Sequence, residues 1–448
     1  MCLSIKNTFL FIGLVAISQF YSSCSTSKNI QQFANKDLIN DSVLADAHIG
    51  IAIVDAETNK PLFKYNSNKY FVPASNTKII TLYAGMKYLE DSLPGIRYEI
   101  RSDSILLSPT GDPTFLHPDF PNQPVFDFLR QQQKPLALSI ANWKTDALGE
   151  GWMWDDYNSG SMTERSAFPV YGNVIKWVQI RDSGSISALA QQEAFIYSEP
   201  DINWKVNFSS DTGALTFSAK RALTGNSFFI TQGKEPNITI DVPFITNGSA
   251  TGLELLKDSL VNPIALAETI VAAKYLVRSQ PVDSLFKIMM YRSDNFFAEQ
   301  ILLMCANEKY AVMNEKKLIA DMLQKELSAF PQKPVWADGS GLSRYNLFSP
   351  EDFVWIIDKL KQEYGMERLK KIFPTGGTGT LLNYYKNDSG YIFAKTGTMS
   401  GVVCLSGYLY GKSGKLMLFS ILVNDYIQPT WKIRRKVEAF LGKVRAAN

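Results

Sequence analysis

Ser75 and Lys78 stand three residues apart in the stretch Phe71-Val72-Pro73-Ala74-Ser75-Asn76-Thr77-Lys78. On a helix that spacing brings a hydroxyl and an amine onto one face, within reach of each other. A serine hydroxyl becomes a nucleophile when a base takes its proton, and a desolvated, neutral lysine one turn away can be that base. Pro73 ends an extended segment, and Ile79, Ile80, Leu82, Tyr83, Met86 and Leu89 then follow in an apolar helical pattern, which puts Ser75 at a helix N-terminus. There the backbone N–H and the helix dipole favour a developing oxyanion. The chemistry implied is acyl transfer through a serine ester. Spacing alone does not decide the matter, because Ser-x-x-Lys recurs at Ser25…Lys28 and Ser284…Lys287.

Two more clusters have the right chemistry. Ser293-Asp294-Asn295 immediately precedes a helical run. A hydroxyl and a carboxamide two residues apart can face one cavity from a turn, pass a proton and orient a peptide. The competing reading is a helix N-cap by Ser293 or Asp294. Lys395-Thr396-Gly397-Thr398 follows a strand-like run. A lysine and a hydroxyl at a strand end can bind a terminal carboxylate. Gly397 lets substrate approach the backbone, and the Thr398 N–H is a second oxyanion donor; the alternative is an exposed strand end.

The elements that must position these clusters are legible in outline. Ile49–Asp55 and Leu62–Tyr65 flank a turn and read as a hairpin ahead of the Ser75 helix. From about residue 93 to 261, short β-like runs such as Val174–Ile180 and Ile238–Val242 alternate with turn residues. Helices are expected again over Leu266–Val277, Asn295–Cys305, Lys316–Leu327 and Glu351–Glu363, and Val402–Tyr410 and Lys415–Asn424 form a second hairpin. Pro429–Val444 reads as a basic amphipathic helix with a solvated charged face. The expected fold is α+β: one antiparallel sheet, built from both chain ends and flanked by helices on both faces, with a large mainly β insertion. The expected division is 1–24 as a signal segment, 25–92 plus 262–448 as the catalytic unit, and 93–261 as the insertion. Residues 25 to about 45 read as a polar tether leading into a first helix.

Composition excludes several classes. The 448 residues carry 46 − 43 = +3 net charge, which argues neither for nor against nucleic acid; no run of five like charges forms a polybasic tail or acidic arm, and no nucleic-acid partner is expected. The two histidines, His48 and His117, read as structural, and the four cysteines show no Cys-x-x-Cys spacing; no metal site and no cofactor is expected. Lys6, the apolar run Phe9–Ile17 and small polar residues before Cys24 read as a signal peptide. The run is too short to prefer a membrane span. Tyr21-Ser22-Ser23-Cys24 resembles a relaxed lipobox, which makes Cys24 the lipidation candidate and the only membrane contact of an exported, periplasmic protein. Cys305 and Cys404 read as small core residues.

The order Ser-x-x-Lys, Ser-x-Asn, Lys-Thr-Gly resembles that of β-lactamases and penicillin-binding proteins. The gaps are 293 − 75 = 218 and 395 − 293 = 102 residues. The long first gap resembles the penicillin-binding protein 4 family of D-Ala-D-Ala carboxypeptidases and endopeptidases (peptidase family S13), marked by a large insertion between the first two motifs. Pro109–Pro113, Gly151–Asp156, Asp338–Arg344 and Gly376–Leu381 also resemble that family. The resemblance implies a penicillin-binding, β-lactamase-like transpeptidase fold and a serine acyl-enzyme. Its substrates would be peptidoglycan stem peptides, with β-lactams acylating the same serine. Lys78 would take the Ser75 proton, Lys395 would help keep Lys78 neutral, and Ser293 would relay a proton to the leaving amine. Asn295 would hold the substrate backbone or Lys78. Lys395, Thr396 and Thr398 would bind the terminal carboxylate, Asp156 the free amine of the stem's diamino acid, and Arg344 would face the substrate. Ser400 departs from relatives that have glutamine there. Two rivals stay open: a β-lactamase, although Tyr291 precedes the second motif by two residues and does not occupy its first position, and a non-catalytic β-lactam or cell-wall receptor, although no motif is degenerate.

Overall fold

The computed structural model describes residues 27–181, 194–209 and 213–448; Cys24 and the N-terminal apolar run lie outside them. Strands β1 (His48–Asp55) and β2 (Pro61–Tyr65) form the expected hairpin. A 3-10 turn, Ala74–Thr77, then leads into α1 (Lys78–Tyr88). Ile79, Ile80, Leu82 and Tyr83 are all at most 1% exposed. Helix α1 is therefore core on every side, and Lys78 at its start is buried with it.

The insertion contributes strands to three sheets. β3 (Ser92–Ile100), β4 (Ile105–Pro109), the short helix α2 (Pro124–Arg130) and β5 (Leu136–Ser139) open it. β6 (Val174–Ile180), β7 (Phe195–Glu199), β8 (Val206–Phe208), β9 (Ser218–Arg221), β10 (Phe228–Thr231) and β11 (Asn237–Pro243) follow, then α3 (Ala250–Leu256), β12 (Ile264–Ala267) and β13 (Tyr275–Pro281). β6–β11 make two three-stranded sheets, β11-β6-β7 and β8-β10-β9, packed through Ile175, Trp177, Phe228, Val242 and Phe244. The other strands form a five-stranded sheet in the order β12-β5-β4-β3-β13. This corrects two expectations. Leu266–Val277 is not a helix: its ends pair as edge strands with β5 and β3. Its alanines favour a helix, but Leu266 is 46% and Ile270 82% exposed. The segment offers no buried helical face, so open sheet edges outweigh propensity. The boundary at 261/262 consequently falls inside this sheet, which continues through Pro281.

Helices α4 (Val282–Arg292), α5 (Asn295–Tyr310), α6 (Glu315–Gln324), α7 (Pro350–Tyr364) and α8 (Met366–Ile372) come next. β14 (Ile392–Met399), β15 (Val402–Tyr410), β16 (Leu416–Asn424) and α9 (Thr430–Ala446) complete the chain. The main sheet has the order β14-β15-β16-β1-β2 and is antiparallel throughout. Both chain ends build it, as expected. Helices α1, α4, α5 and α7 cover one face through a core that includes Ile80, Phe286, Phe297 and Ile357. Helix α9 covers the other, with a helical segment at residues 27–39. That segment is no tether: Ile30, Ala34 and Leu38 are fully buried. β14 is an edge strand, so among the described residues one side of its backbone has no partner strand along Lys395–Met399.

Candidate active site

The Ser75 turn is anchored from below and above. The Asn76 amide is fully buried and donates to Ser406 Oγ (2.8 Å), which in turn reaches Ser420 Oγ (2.8 Å). Those serines lie on β15 and β16, so the turn is pinned to the centre of the sheet. Ala74 has φ of +45°, a left-handed conformation that costs a non-glycine residue about 1–3 kcal/mol. The surroundings enforce it. Thr77 Oγ1 donates to the Ala74 carbonyl (2.9 Å), and Gly341 packs so close that a Cβ there would lie 1.9 Å from the same oxygen. Gly397 serves the same purpose on the other side: a Cβ would lie 2.5 Å from the Pro73 carbonyl. The glycine of the third motif was expected to admit substrate; its immediate neighbour is the Ser75 turn.

Lys78 Nζ has three partners: Ser75 Oγ at 3.1 Å, Asn295 Oδ1 at 2.6 Å and the Ser340 carbonyl at 2.7 Å. A neutral amine has two N–H bonds and one lone pair. The two carbonyl-type oxygens absorb the N–H bonds, which leaves the lone pair for the Ser75 proton. Burial pushes the Lys78 pKa down to about 8, against the pull of Asp338, Asp294 and Glu299. Ser293, φ +61°, ends α4 in a left-handed conformation, and its hydroxyl accepts from Lys395 Nζ (2.8 Å). The helix cap falls to its neighbour: Asp294 Oδ1 accepts from Phe297 N (2.9 Å). The cap is thus made by Asp294, while Ser293 and Asn295 turn their side chains to Lys395 and Lys78. Lys395 is fully buried and donates also to the Thr396 carbonyl (2.7 Å). Its pKa is held well below the usual lysine range, by burial first and then by the charges of Lys78 and Arg434. The repulsion expected between the two lysines is thus felt at Lys395.

Ser75, Lys78, Ser293, Asn295 and Lys395 are therefore joined in two hydrogen-bonded groups over the free edge of β14. Thr396 is half-buried and Thr398 exposed on that edge. Asn295 Nδ2 also donates to the Ser161 carbonyl (2.8 Å), which brings the insertion into contact with the site. Asp156 lies five residues before Ser161, half-buried in the 3-10 turn Trp154–Asp156. Its carboxylate has no hydrogen-bond or ion-pair partner among the described residues. Arg344 is exposed and reaches the Ser400 carbonyl at 3.4 Å. The other Ser-x-x-Lys match in view is spent elsewhere: Ser284 Oγ donates to the Pro281 carbonyl, and Lys287 lies over the Tyr291 ring. His48 stacks on Phe71, and His117 sits between Phe297 and Asp119. Among the described residues no group of side chains could hold a metal ion, and no helix is long and apolar enough to cross a membrane.

The model of the D-Ala-D-Ala carboxypeptidase 3 (S13) family matches residues 32–441. The chain belongs to that family. The D-alanyl-D-alanine carboxypeptidase DacB of Haemophilus influenzae is 22% identical over 90% of this chain and 91% of its own. The D-alanyl-D-alanine carboxypeptidase of Actinomadura sp. (strain R39) is 24% identical over 88% and 80%. The crystal structure of penicillin binding protein 4 (dacB) from Haemophilus influenzae shares the fold, with a TM-score of 0.73 at 18% identity, covering 93% of this chain and 99% of that one.

In this S13 chain the site depends on residues that motif reading passed over. Arg165, from the insertion, pairs with Glu299 (3.3 Å) and Glu315 (3.1 Å), all three at most 3% exposed. Glu299 Oε1 accepts from Ser340 N (2.7 Å), and Ser340 presents its carbonyl to Lys78. Asp338 binds the backbone N–H of Gly341 (2.8 Å) and Ser343 (2.6 Å) and takes the indole N–H of Trp152, again from the insertion (2.9 Å). Glu299 had a local signal, a carboxylate one turn after Asn295 in an apolar helix. Arg165 had none, because its carboxylate partners are more than a hundred residues away in sequence.

Proposed function

We propose that this protein is a serine D-alanyl-D-alanine carboxypeptidase and endopeptidase that acts on peptidoglycan stem peptides and is acylated by β-lactams. The observation that carries the reading is the buried Lys78 amine, 3.1 Å from Ser75 Oγ with its two N–H bonds already spoken for. Ser75 Oγ attacks the carbonyl carbon of the penultimate D-alanine, and its proton passes to Lys78 Nζ. The first-turn N–H of Ser75 and the Thr398 N–H on the open edge of β14 receive the oxyanion. Collapse breaks the peptide bond. Ser293, whose oxygen accepts from Lys395, passes its hydroxyl proton to the leaving D-alanine amine and is reprotonated with the proton that Lys78 took from Ser75. Water then cleaves the Ser75 ester and regenerates the hydroxyl. The substrate strand adds to β14 by edge pairing, with its carboxylate at Lys395, Thr396 and Thr398. An arriving carboxylate raises the Lys395 pKa again, since an opposite charge favours the ammonium.

Asp156, with no partner of its own, is assigned to the free amine of the diamino acid, and Arg344 to the substrate side of the cleft. The catalytic unit is assigned to residues 25–92 and those after Pro281, with the mainly β insertion between them. Lipidation at Cys24 and a periplasmic location complete the reading; globomycin-sensitive processing of the exported chain tests both.

Labelling with a fluorescent penicillin tests the central claim. A long-lived adduct on a Ser75 peptide is expected. Rapid turnover to penicilloate would favour the β-lactamase reading, and absence of any adduct the receptor reading. The pH dependence follows from Lys78. Its neutral form is the base, so the acylation rate is expected to rise with pH through about 8 and level off above. A stopped-flow profile from pH 6 to 10 checks this; a flat profile would remove Lys78 as the base.

A further inference from the structure

Helix α9 carries six cations: Lys432, Arg434, Arg435, Lys436, Lys443 and Arg445. Four of them are neutralised, by Glu438, Asp41, Asp37 and Asp388 respectively for the last four. Lys432 lies against Trp431. Arg434 and Arg435 both lie over the Tyr384 ring, but only Arg435 also has a carboxylate partner among the described residues. Among the described residues no carboxylate lies within ion-pair distance of Arg434. Its Nη2 donates instead to Thr398 Oγ1 at 2.6 Å, and its guanidinium lies 5.7 Å from the centre of the Tyr384 ring. Arg434, Tyr384, Thr396, Gly397 and Thr398 line one small cleft beside β14.

Two consequences follow. A hydroxyl that accepts from a guanidinium keeps its own proton for another acceptor, so Thr398 is set as a donor toward the strand edge. A half-buried guanidinium with five N–H groups and one hydrogen bond also has unused capacity, in a fork that fits a carboxylate. Lys395 is a poor sole source of charge there, because burial and its neighbours hold its pKa well down. We propose that Arg434 is a specificity-determining residue for the C-terminal carboxylate of the substrate, orienting Thr398 Oγ1 and supplying positive charge at the open end of β14. The inference rests on the carboxypeptidase reading and adds to it a residue from the last helix, outside all three motifs.

The test compares diacetyl-L-lysyl-D-alanyl-D-alanine with the same peptide ending in D-alaninamide, and benzylpenicillin with its methyl ester. Arg434→Ala is expected to lower kcat/KM for the free carboxylate peptide roughly 10- to 100-fold. The acylation rate with benzylpenicillin should fall in parallel. The amide and the ester should change less than about 3-fold, because they lack the charge. Arg434→Lys should restore part of the loss and Arg434→Gln little of it. Thermal unfolding of each variant guards against a folding defect, and the isosteric Gln replaces Ala if the latter is unstable. Equal losses for charged and neutral ligands, or no loss, would overturn the inference while leaving the carboxypeptidase reading intact. A wild-type protein that neither releases D-alanine nor forms a penicillin adduct would refute both.

Discussion

Ser75→Ala and Lys78→Met are each expected to slow D-alanine release by roughly four to six orders of magnitude, and the double variant no further. The two side chains act as one unit: Ser75 without its base is an ordinary alcohol, and Lys78 without Ser75 has nothing to deprotonate. Single-turnover release from a D-alanyl-D-alanine peptide, with penicillin adduct formation beside it, measures the effect. Lys78→Met is the sharper of the two. It preserves volume in a fully buried position but leaves Asn295 Oδ1 and the Ser340 carbonyl without their donor, about 1–3 kcal/mol for each buried group. It also removes a titration. The wild-type lysine titrates near 8 when folded and at its ordinary value, 10.5, when unfolded. In that window the unfolded chain holds more protons, so wild-type stability rises with pH there. Unfolding midpoints at pH 8 and pH 10 should show this gain in the wild type and its absence in Lys78→Met. Retention of acylation by Lys78→Met would transfer the role of base to Lys395.

Arg165→Met is expected to destabilise the fold by roughly 3–5 kcal/mol near pH 7.5, because it strands Glu299 and Glu315 without their counter-charge in a site at most 3% exposed. The loss should shrink toward pH 5. Burial already raises Glu299 to about 7 in the wild type, and without Arg165 it rises further. A carboxyl with a raised folded pKa stabilises the folded state below its unfolded pKa, and that contribution disappears as pH climbs through the folded value. Urea titrations at pH 5 and 7.5 provide the comparison. Acylation should weaken as well, since Glu299 holds the Ser340 N–H and Ser340 positions Lys78. An Arg165→Met protein as stable as wild type at both pH values would show that the three buried charges are not coupled.

Much of this arrangement is local and therefore visible in one dimension. The Ser75–Lys78 contact is a property of a single turn of helix. The β1–β2 and β15–β16 hairpins follow from turn residues between apolar runs, and the order of three motifs with one long gap points to the family. The pairing of Ser75 with Lys78, the antiparallel sheet built from both chain ends and the mainly β stretch between the first two motifs are all legible without a structure. Misreadings arose where partners are remote. Residues 266–277 became two edge strands because β5 and β3 offered open edges, and residues 27–39 docked as a helix because the sheet's second face needed cover. It took the folded chain to show that Asp294 caps α5 while Ser293 turns to Lys395, that Gly397 clears the Ser75 turn, and that Arg434 reaches Thr398. The same folding brings Arg165 to Glu299, which holds the Ser340 N–H. The physical reason is common to all of these. A buried charge or a strained backbone is tolerable only with its counterpart in place, and these counterparts come from distant segments that no local period or spacing connects.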